Sequence, residues 1–265
     1  MNSLKRVSFI VLCITTIPLA VFSQSIEEDV SAPLEVTNDG QIVIEDFEDA
    51  PIGGLPSGWY NRDIKRRADH PEERKLFHYS VEEENGNRFL HYEHTDARHL
   101  NFPLGKRKNI DIYETPILSW KWRVNKLPEN ANEDSDDRND AAASIYFVFD
   151  MGRVALFKKV PKSIRYTWSS TLPKGHEASR FFGNQKIVVI ESGEDEMGKW
   201  IKVERNLVED YKHLFGDKPP KRPLAILILS DGNSTHSPAE ADYDDIMLKP
   251  KGKQSYSNES KKGSQ

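Results

Sequence analysis

The sequence predicts a mainly β protein, an antiparallel two-sheet sandwich with one short helix. The first observation is a series of eleven short apolar or alternating runs bounded by turn residues, which is typical of sandwiches. The second is that a single stretch has the period of about 3.6 residues that marks an amphipathic helix. The predicted strands are Gln41–Phe47, Leu76–Glu82, Arg88–His94, His99–Leu104, Pro116–Asn125, Ser144–Met151, Ile164–Ser169, Lys186–Ser192, Trp200–Asn206, Pro223–Ser230 and Asp242–Leu248.

The strand in "ILSWKWRV" shows which of its faces is buried. Alternation places Trp120 and Trp122 on one face, in the company of Leu and Val residues, and Lys121 and Arg123 on the other. Because indole rings carry a large apolar area, we predict that both tryptophans belong to the core. We place Trp200 in the core with them. Lys121 and Arg123 then become candidate ligand-binding residues on the opposite face of the sheet.

The stretch "IRYTWSS" leaves two interpretations open. Tyr166 and Trp168 share one face with Ile164, while Arg165 and Thr167 lie on the other. These aromatic rings are candidates for stacking on a sugar if they lie half-exposed near a strand end, and core residues if they face the second sheet.

The predicted helix lies in "NLVEDYKHLFG". Leu207, Tyr211 and Leu214 form one apolar stripe. Gly216 stands where a helix commonly ends, and the prolines at 219 and 220 prevent continuation.

The start of the chain has the pattern of a secretory signal peptide. Lys5 and Arg6 precede an apolar run over residues 7–22, which a small residue, Ser23, follows. We therefore expect residues 1–24 to be a signal peptide, 25–40 a loose lead-in, 41–248 a single β-sandwich domain and 249–265 a disordered basic tail. This organisation predicts export to the periplasm or the extracellular space.

Composition narrows the classes of partner. The chain carries a net charge of −5, and the predicted signal peptide and tail are both net positive, so the body between them is acidic and lacks a footprint for nucleic acid. No second long apolar run follows the first, so no transmembrane segment is expected after signal cleavage. The only cysteine, Cys13, lies in the predicted signal peptide, so disulfides and cysteine-bound metals are excluded from the mature chain.

Carboxylates at the two ends of the domain suggest a calcium site. "IVIEDFED" opens the domain and "ADYDDIML" closes it, and first and last strands often lie side by side in sandwiches. Asp46, Glu48 and Asp245 would then approach each other and could bind a structural Ca²⁺. The alternative is a solvated acidic face, and no other cofactor is expected.

Catalytic signatures are absent from the sequence. It contains no G-x-S-x-G elbow, no H-E-x-x-H pair and no P-loop. Asp140, which precedes an apolar strand, and Asp231, which begins the loop "DGNST", are the carboxylates that a polysaccharide hydrolase or lyase would use.

The order of several blocks resembles a known family. "LSWKWRV", "DDRNDAAASIYFVF", "IRYTWS", "GKWIKVERNLVEDYKHLFG", "LILSDGNST" and "AEADYDDIML" are similar to the bacterial exported family called domain of unknown function 3047. The resemblance covers Ile44 to Leu248 and implies a jelly-roll or galactose-binding-like sandwich, similar in outline to carbohydrate-binding modules. The positions that it carries over are Trp120, Trp122, Arg123, Asp140, Tyr166, Trp168, Trp200, Arg205, Asp210, Asp231 and Asp245.

Three hypotheses follow for the function. The leading one is an exported, non-catalytic protein that binds a glycan or similar polar ligand. The alternatives are an envelope structural or protein-interaction domain, and a polysaccharide hydrolase or lyase that uses Asp140 and Asp231. The candidate ligand-binding residues are Lys121, Arg123, Asp140, Tyr166, Trp168, Arg205 and Asp231.

Overall fold

The structure is a computed structural model that describes residues 30–96, 98–153 and 159–252. The predicted signal peptide and nearly all of the predicted tail lie outside the described residues. Within the predicted lead-in, Leu34 exchanges two hydrogen bonds with Asn109, at 3.3 and 2.9 Å, which attaches this segment to the body.

Short strands dominate the described part of the chain, as the sequence predicts. Two α-helices accompany them, α1 (Pro71–Arg74) and α2 (Leu207–Phe215), together with a 3₁₀ turn at Phe181–Gly183. The strands are β1 (Ile42–Glu45), β2 (Tyr79–Glu84), β3 (Asn87–His94), β4 (Leu100–Pro103), β5 (Ile117–Lys126), β6 (Ala141–Arg153), β7 (Lys159–Ser169), β8 (Glu177–Arg180), β9 (Gln185–Ser192), β10 (Ile201–Asn206), β11 (Ala225–Asp231) and β12 (Ala239–Lys249).

The strands form two sheets, which confirms the predicted sandwich. Sheet A has the order β10-β5-β12-β3-β2, and β1 also pairs with β12, so the first and last strands are neighbours. Sheet B has the order β4-β11-β6-β7-β9-β8. All of these pairs are antiparallel except β7 with β9, because the chain leaves β7, forms the edge strand β8 and returns between them.

The core lies between the sheets and is centred on aromatic rings. Trp120 and Trp122 of β5 are fully buried. From the facing sheet, the ring of Tyr166 packs 5.5 Å from that of Trp120, and the ring of Trp168 packs 6.2 Å from that of Trp122. These four side chains join the two sheets.

The hypothesis that Tyr166 and Trp168 stack on a ligand is wrong, because both side chains are fully buried. The alternation of β7 turns them toward the tryptophans of β5. Their polar atoms find partners inside the protein: the Tyr166 hydroxyl donates to Asp210 at 2.8 Å, and the Trp168 indole donates to the carbonyl of Gly193 at 3.1 Å.

The placement of Trp200 in the core is also wrong. Ile201 pairs with Trp122 and Val203 with Trp120 in the register of β10 and β5, so these residues face the core. Alternation then turns Trp200 to the opposite face of sheet A. There it is half-buried and covers the guanidinium of Arg123, which lies 4.9 Å from its ring.

Helix α2 ends as the sequence predicts. The side chain of Asn206 accepts hydrogen bonds from the first-turn amides of Val208 and Glu209, which caps the N-terminus. Gly216 adopts a φ of +70°, a left-handed conformation that glycine accepts without steric cost, and this ends the helix. Neither α-helix of the described ranges is long and apolar enough to cross a membrane.

The different positions of Trp168 and Trp200 predict different effects of truncation. Trp168→Ala should lower the free energy of unfolding by about 3–5 kcal/mol, because it opens a large cavity between the sheets. Trp200→Ala should cost clearly less, since that ring is half-buried and its loss removes mainly a cation–π contact of about 1 kcal/mol. Urea unfolding measures both, and equal losses would contradict the assignment of core and surface.

Candidate functional site

The face of sheet B that points away from the core carries a mixed row of side chains. Strand register aligns Asn101, Leu227, Tyr146, Arg165 and Ile187 across five neighbouring strands. We call this surface the outer face of sheet B. It combines an aromatic ring, an amide and a guanidinium, whereas the inner face of the same strands is apolar.

A pocket of about 330 Å³ lies on this outer face. We call it the sheet B groove. Its lining is mostly apolar with a few hydrogen-bonding groups, the usual composition of a ligand site. The lining residues are Arg62, His99, Tyr146, Val148, Val160, Pro161, Ser163, Phe181, Gln185 and Leu227.

Tyr146 and His99 form an aromatic pair within the groove. Their ring centroids are 5.4 Å apart in an edge-on arrangement. Burial lowers the pKa of His99 to about 4, and the charges of Arg62 and Arg165 act in the same direction. The imidazole is therefore neutral near pH 7 and offers one donor and one acceptor. Burial raises the pKa of Tyr146 to about 12, so its hydroxyl keeps its proton.

One wall of the groove is formed by Phe181, which a second exposed phenylalanine follows in the chain. Phe181 lines the groove and is 52% exposed, and the adjacent Phe182 is 93% exposed. Both have a positive φ, +50° and +56°, which bulky side chains rarely adopt. Strained residues of this kind cluster at functional sites, and exposed aromatic rings are common contact groups in binding sites.

Arg165 is a buried cation next to Tyr146. Its side chain is fully buried, with Nε donating to Ser144 Oγ and Nη1 to Asn139 Oδ1, both at 2.9 Å. The guanidinium lies 5.4 Å from the Tyr146 ring centroid. Its Nη2 atom has no hydrogen-bond partner within the described residues.

Glu133 supplies buried negative charge near Arg165. Burial raises the pKa of this carboxyl, whereas the charge of Arg165 and the hydroxyl of Ser169 lower it. One carboxylate oxygen accepts the Ser169 hydroxyl at 2.6 Å, and the other lies 3.4 Å from that of Thr167. Glu133 belongs to the loop between β5 and β6, so this loop covers one end of the outer face of sheet B.

The loop between β5 and β6 also holds the turn that carries Phe181 and Phe182. Arg180, which directly precedes Phe181, donates from Nη1 to the carbonyl of Ser135 at 3.1 Å. Its Nη2 atom pairs with Asp136 at 2.7 Å. The loop therefore connects the buried charges with the wall of the groove.

The two carboxylates proposed for hydrolysis accept hydrogen bonds from the protein itself. Asp140 is fully buried and accepts hydrogen bonds from the amides of Ser234 and Thr235, at 3.2 and 2.7 Å, and from the Thr235 hydroxyl at 2.8 Å. Asp231 accepts the amide of Ala141 at 2.9 Å. Neither is a lining residue of the sheet B groove.

Lys121 and Arg123 face outward, but on the other sheet. Arg123 donates to Asp242 at 2.7 Å and to Glu84 at 2.9 Å. Lys121 pairs with Asp245 at 2.5 Å. These pairs lie on the outer face of sheet A, so the structure does not bring the two cations together with Asp140 or Asp231.

Arg205 stabilises the end of sheet A rather than the groove. It forms a two-pronged ion pair with Asp210, at 2.8 and 2.6 Å, and the same carboxylate accepts the Tyr166 hydroxyl. This contact ties helix α2 to both sheets.

The predicted calcium ligands already have partners. The Glu48 carboxylate accepts the amide of Arg88 at 3.1 Å, Asp46 accepts the amide of Glu48 at 3.3 Å, and Asp245 pairs with Lys121. The calcium site stays a prediction.

Sequence reasoning missed the residues that line the groove. Tyr146 lies in the run "IYFVF" of apolar and aromatic residues, where alternation cannot reveal which face is buried. The Phe181 and Phe182 pair did carry a signal, because two aromatic residues followed by glycine stand outside every predicted strand.

The fold and the groove together define a class, a β-sandwich protein with a ligand-sized groove on the outer face of one sheet. The chain belongs to the family described as protein of unknown function (DUF3047), whose model matches residues 58–247. A search of curated proteins gave no significant match.

Several solved structures resemble the chain distantly. The family 30 carbohydrate-binding module of a cellulosomal cellulase of Clostridium thermocellum is 12% identical, with coverage of 80% of this chain and 98% of the module and a TM-score of 0.39. The family 11 module of another cellulosomal cellulase of that organism is 10% identical, with coverage of 81% and 97% and a TM-score of 0.34. The cleaved adhesin domain of Lys-gingipain from Porphyromonas gingivalis is 13% identical, with coverage of 80% and 99% and a TM-score of 0.36.

The protonation of Asp231 predicts a pH dependence of stability. Burial raises the pKa of this carboxyl from 3.8 to about 7, against the opposing charge of Arg165. Between these values the folded protein binds more protons than the unfolded chain, so this group makes the free energy of unfolding fall as pH rises from about 4 to about 7. Asp231→Asn removes that contribution.

The test is urea unfolding of both proteins across this pH range. Burial raises the pKa of Glu45 to about 7 and that of Asp244 to about 6, so the difference between variant and unaltered protein is the relevant quantity. The stability of the variant should fall less between pH 4 and pH 7. Parallel curves for the two proteins would contradict the assignment.

Proposed function

We propose that this protein is exported and binds a glycan in the sheet B groove. The observation that carries the proposal is Phe181, which lines the groove together with Tyr146 and stands half-exposed on a strained turn next to the exposed Phe182. Exposing such rings costs free energy, and a ligand with an apolar face would recover it.

The chemistry of the lining suits a sugar. A pyranose ring has an apolar C–H face that packs on aromatic side chains, while its hydroxyls need donors and acceptors in the plane of the ring. Phe181 offers the first kind of contact. Arg62, His99, Ser163 and Gln185 offer the second. The volume of about 330 Å³ fits one or two sugar units, near the lower end for small-molecule sites.

We assign binding rather than glycoside cleavage to this groove. Cleavage uses two carboxyl groups about 5–10 Å apart on either side of the bond. Asp140 and Asp231, the pair considered for that chemistry, are buried and hydrogen-bonded to backbone amides. The groove instead offers aromatic, amide, hydroxyl and guanidinium groups.

Truncation of Phe181, which lines the groove, tests the site. Phe181→Ala should weaken glycan binding by at least about tenfold, the loss expected when an anchoring aromatic ring is removed. Its free energy of unfolding should change little, because the ring is 52% exposed. Ile52→Ala is the matched control, since it also removes an exposed apolar side chain, 60% exposed, but in the segment between β1 and β2, next to sheet A.

The measurement is a glycan array, followed by titration of the strongest ligand into the three proteins. Equal affinity of the Phe181 variant and the unaltered protein would refute the site. If no glycan binds and an envelope protein is specifically retained through the same residues, the result would favour the alternative, an envelope structural or protein-interaction domain.

The exported location rests on the apolar run that follows Lys5 and Arg6. When the full chain is expressed in a bacterium with a general secretory pathway, the protein recovered from the periplasm or medium should begin near Gln24 or Ser25. Replacing Leu12 with Arg, which breaks the apolar run, should leave the chain uncleaved in the cytoplasm. Mass spectrometry of the intact protein distinguishes the two forms, and a cytoplasmic, uncleaved product from the unaltered sequence would contradict export.

A further inference from the structure

Two histidines stack on each other at one end of sheet A. His78 directly precedes β2 and His94 ends β3, and because these strands are antiparallel the two residues lie at the same end of the pair. Their ring centroids are 3.7 Å apart and the ring planes differ by 1°.

The backbone at His78 is bent to make this contact. His78 has a φ of +58°, in the left-handed region that non-glycine residues rarely adopt. An extended residue at that position would continue the alternation of β2. The positive φ breaks the alternation, and the ring of His78 instead stacks on that of His94.

Asp96 completes a group of three ligand atoms. Its Oδ2 atom lies 3.2 Å from His78 Nε2 and 4.0 Å from His94 Nδ1. The main chain of Asp96 is held in place, since its carbonyl accepts the Tyr92 hydroxyl at 2.5 Å. Within the described residues, this is the one group of three or more histidine, cysteine or carboxylate side chains whose ligand atoms lie within 4.8 Å of each other.

These distances match the spacing of ligands around a small metal ion. Metal–nitrogen and metal–oxygen bonds of about 2.0–2.2 Å in tetrahedral geometry separate neighbouring ligand atoms by about 3.3–3.5 Å. The observed 3.2 and 4.0 Å lie on either side of that range. Because the rings are parallel, one of them has to turn about its Cβ–Cγ bond so that both lone pairs meet one ion.

The protonation of His94 already suits a metal on Nδ1. This atom accepts the amide of Asp96 at 3.1 Å, so the neutral ring carries its proton on Nε2. A metal ion takes the place of that amide hydrogen bond at His94, whereas His78 Nε2, which donates to a carboxylate oxygen of Asp96, gives up its proton when it binds the ion.

We propose that His78, His94 and Asp96 bind a divalent transition metal ion, with Zn²⁺ as the best-matched ion. Imidazole nitrogens suit zinc and its neighbours in the first transition row, whereas calcium and magnesium prefer ligand sets made of oxygen. The three side chains are 28%, 41% and 62% exposed, which leaves the ion a position open to water or to another ligand. This site is independent of the glycan proposal.

The test uses ZnCl₂ and protein without a polyhistidine tag. Calorimetric titration should show one zinc ion bound per chain at pH 7.5. His94→Ala and Asp96→Asn should each weaken zinc binding by more than tenfold, since even the loss of an outer-shell partner costs about 10–100-fold. His213→Ala is the matched control: it also removes a partly exposed histidine, which pairs with Glu177 at 2.9 Å, and it should bind zinc as the unaltered protein does.

A second measurement shows which residues hold the ion. Titration with CoCl₂ should give visible absorption bands in the unaltered protein and in the His213 variant, and these bands should be lost in the His94 and Asp96 variants. Circular dichroism verifies that every variant is folded. The proposal is overturned if folded unaltered protein binds no zinc, or if the His94 and Asp96 variants bind it with unchanged affinity.

Discussion

Arg165 places a positive charge where water cannot reach it. The outer face of sheet B is built from the protein groups that hydrogen-bond to this guanidinium and balance its charge. A buried guanidinium is tolerated only with hydrogen-bond acceptors and negative charge close by. Ser144 and Asn139 accept its hydrogen bonds, the Tyr146 ring lies beside it, and Glu133 supplies an opposing charge.

This requirement links the groove to the loop between β5 and β6. Glu133 reaches the outer face only because that loop folds back over sheet B, where Ser169 and Thr167 hold the carboxylate. Arg180 then fastens the same loop to the turn that exposes Phe181 and Phe182. The position of the groove wall therefore depends on the buried charge of Arg165, which does not line the groove.

The aromatic contacts between the sheets leave the outer faces available for function. Trp120, Trp122, Tyr166 and Trp168 join β5 to β7 and fill the centre of the sandwich. With its interior filled in this way, the fold leaves ligand contacts to the outer faces and edges of the sheets. The sheet B groove lies on one outer face, and the histidine pair lies at one end of the other sheet.

Much of this fold could be predicted from the sequence, because alternation along a strand reports which face is buried. It placed Trp120 and Trp122 inside and Lys121 and Arg123 outside. Trp200 was misplaced because the tryptophan stands just before its strand, where the alternation starts only with Ile201. The four-residue strand β8 gave no signal, since a run that short and half-exposed has no clear period.

The candidate site could be predicted only in part, because binding residues are brought together by register and by loops rather than by sequence spacing. Alternation places Arg165 on the face opposite Tyr166 and Trp168, but it does not reveal that the loop between β5 and β6 buries this side chain, with Asn139 of that loop accepting its hydrogen bond. The stacking of His78 on His94 depends on the positive φ of His78, which could not be predicted from the sequence.

The central claim is that the ligand enters the sheet B groove. The direct measurement is an NMR titration of isotope-labelled protein with the oligosaccharide that binds most tightly, with the chemical-shift changes mapped on the structure. We expect the largest changes at Tyr146, Phe181 and Gln185. Changes centred instead on Lys121 and Trp200, on the outer face of sheet A, would contradict the account.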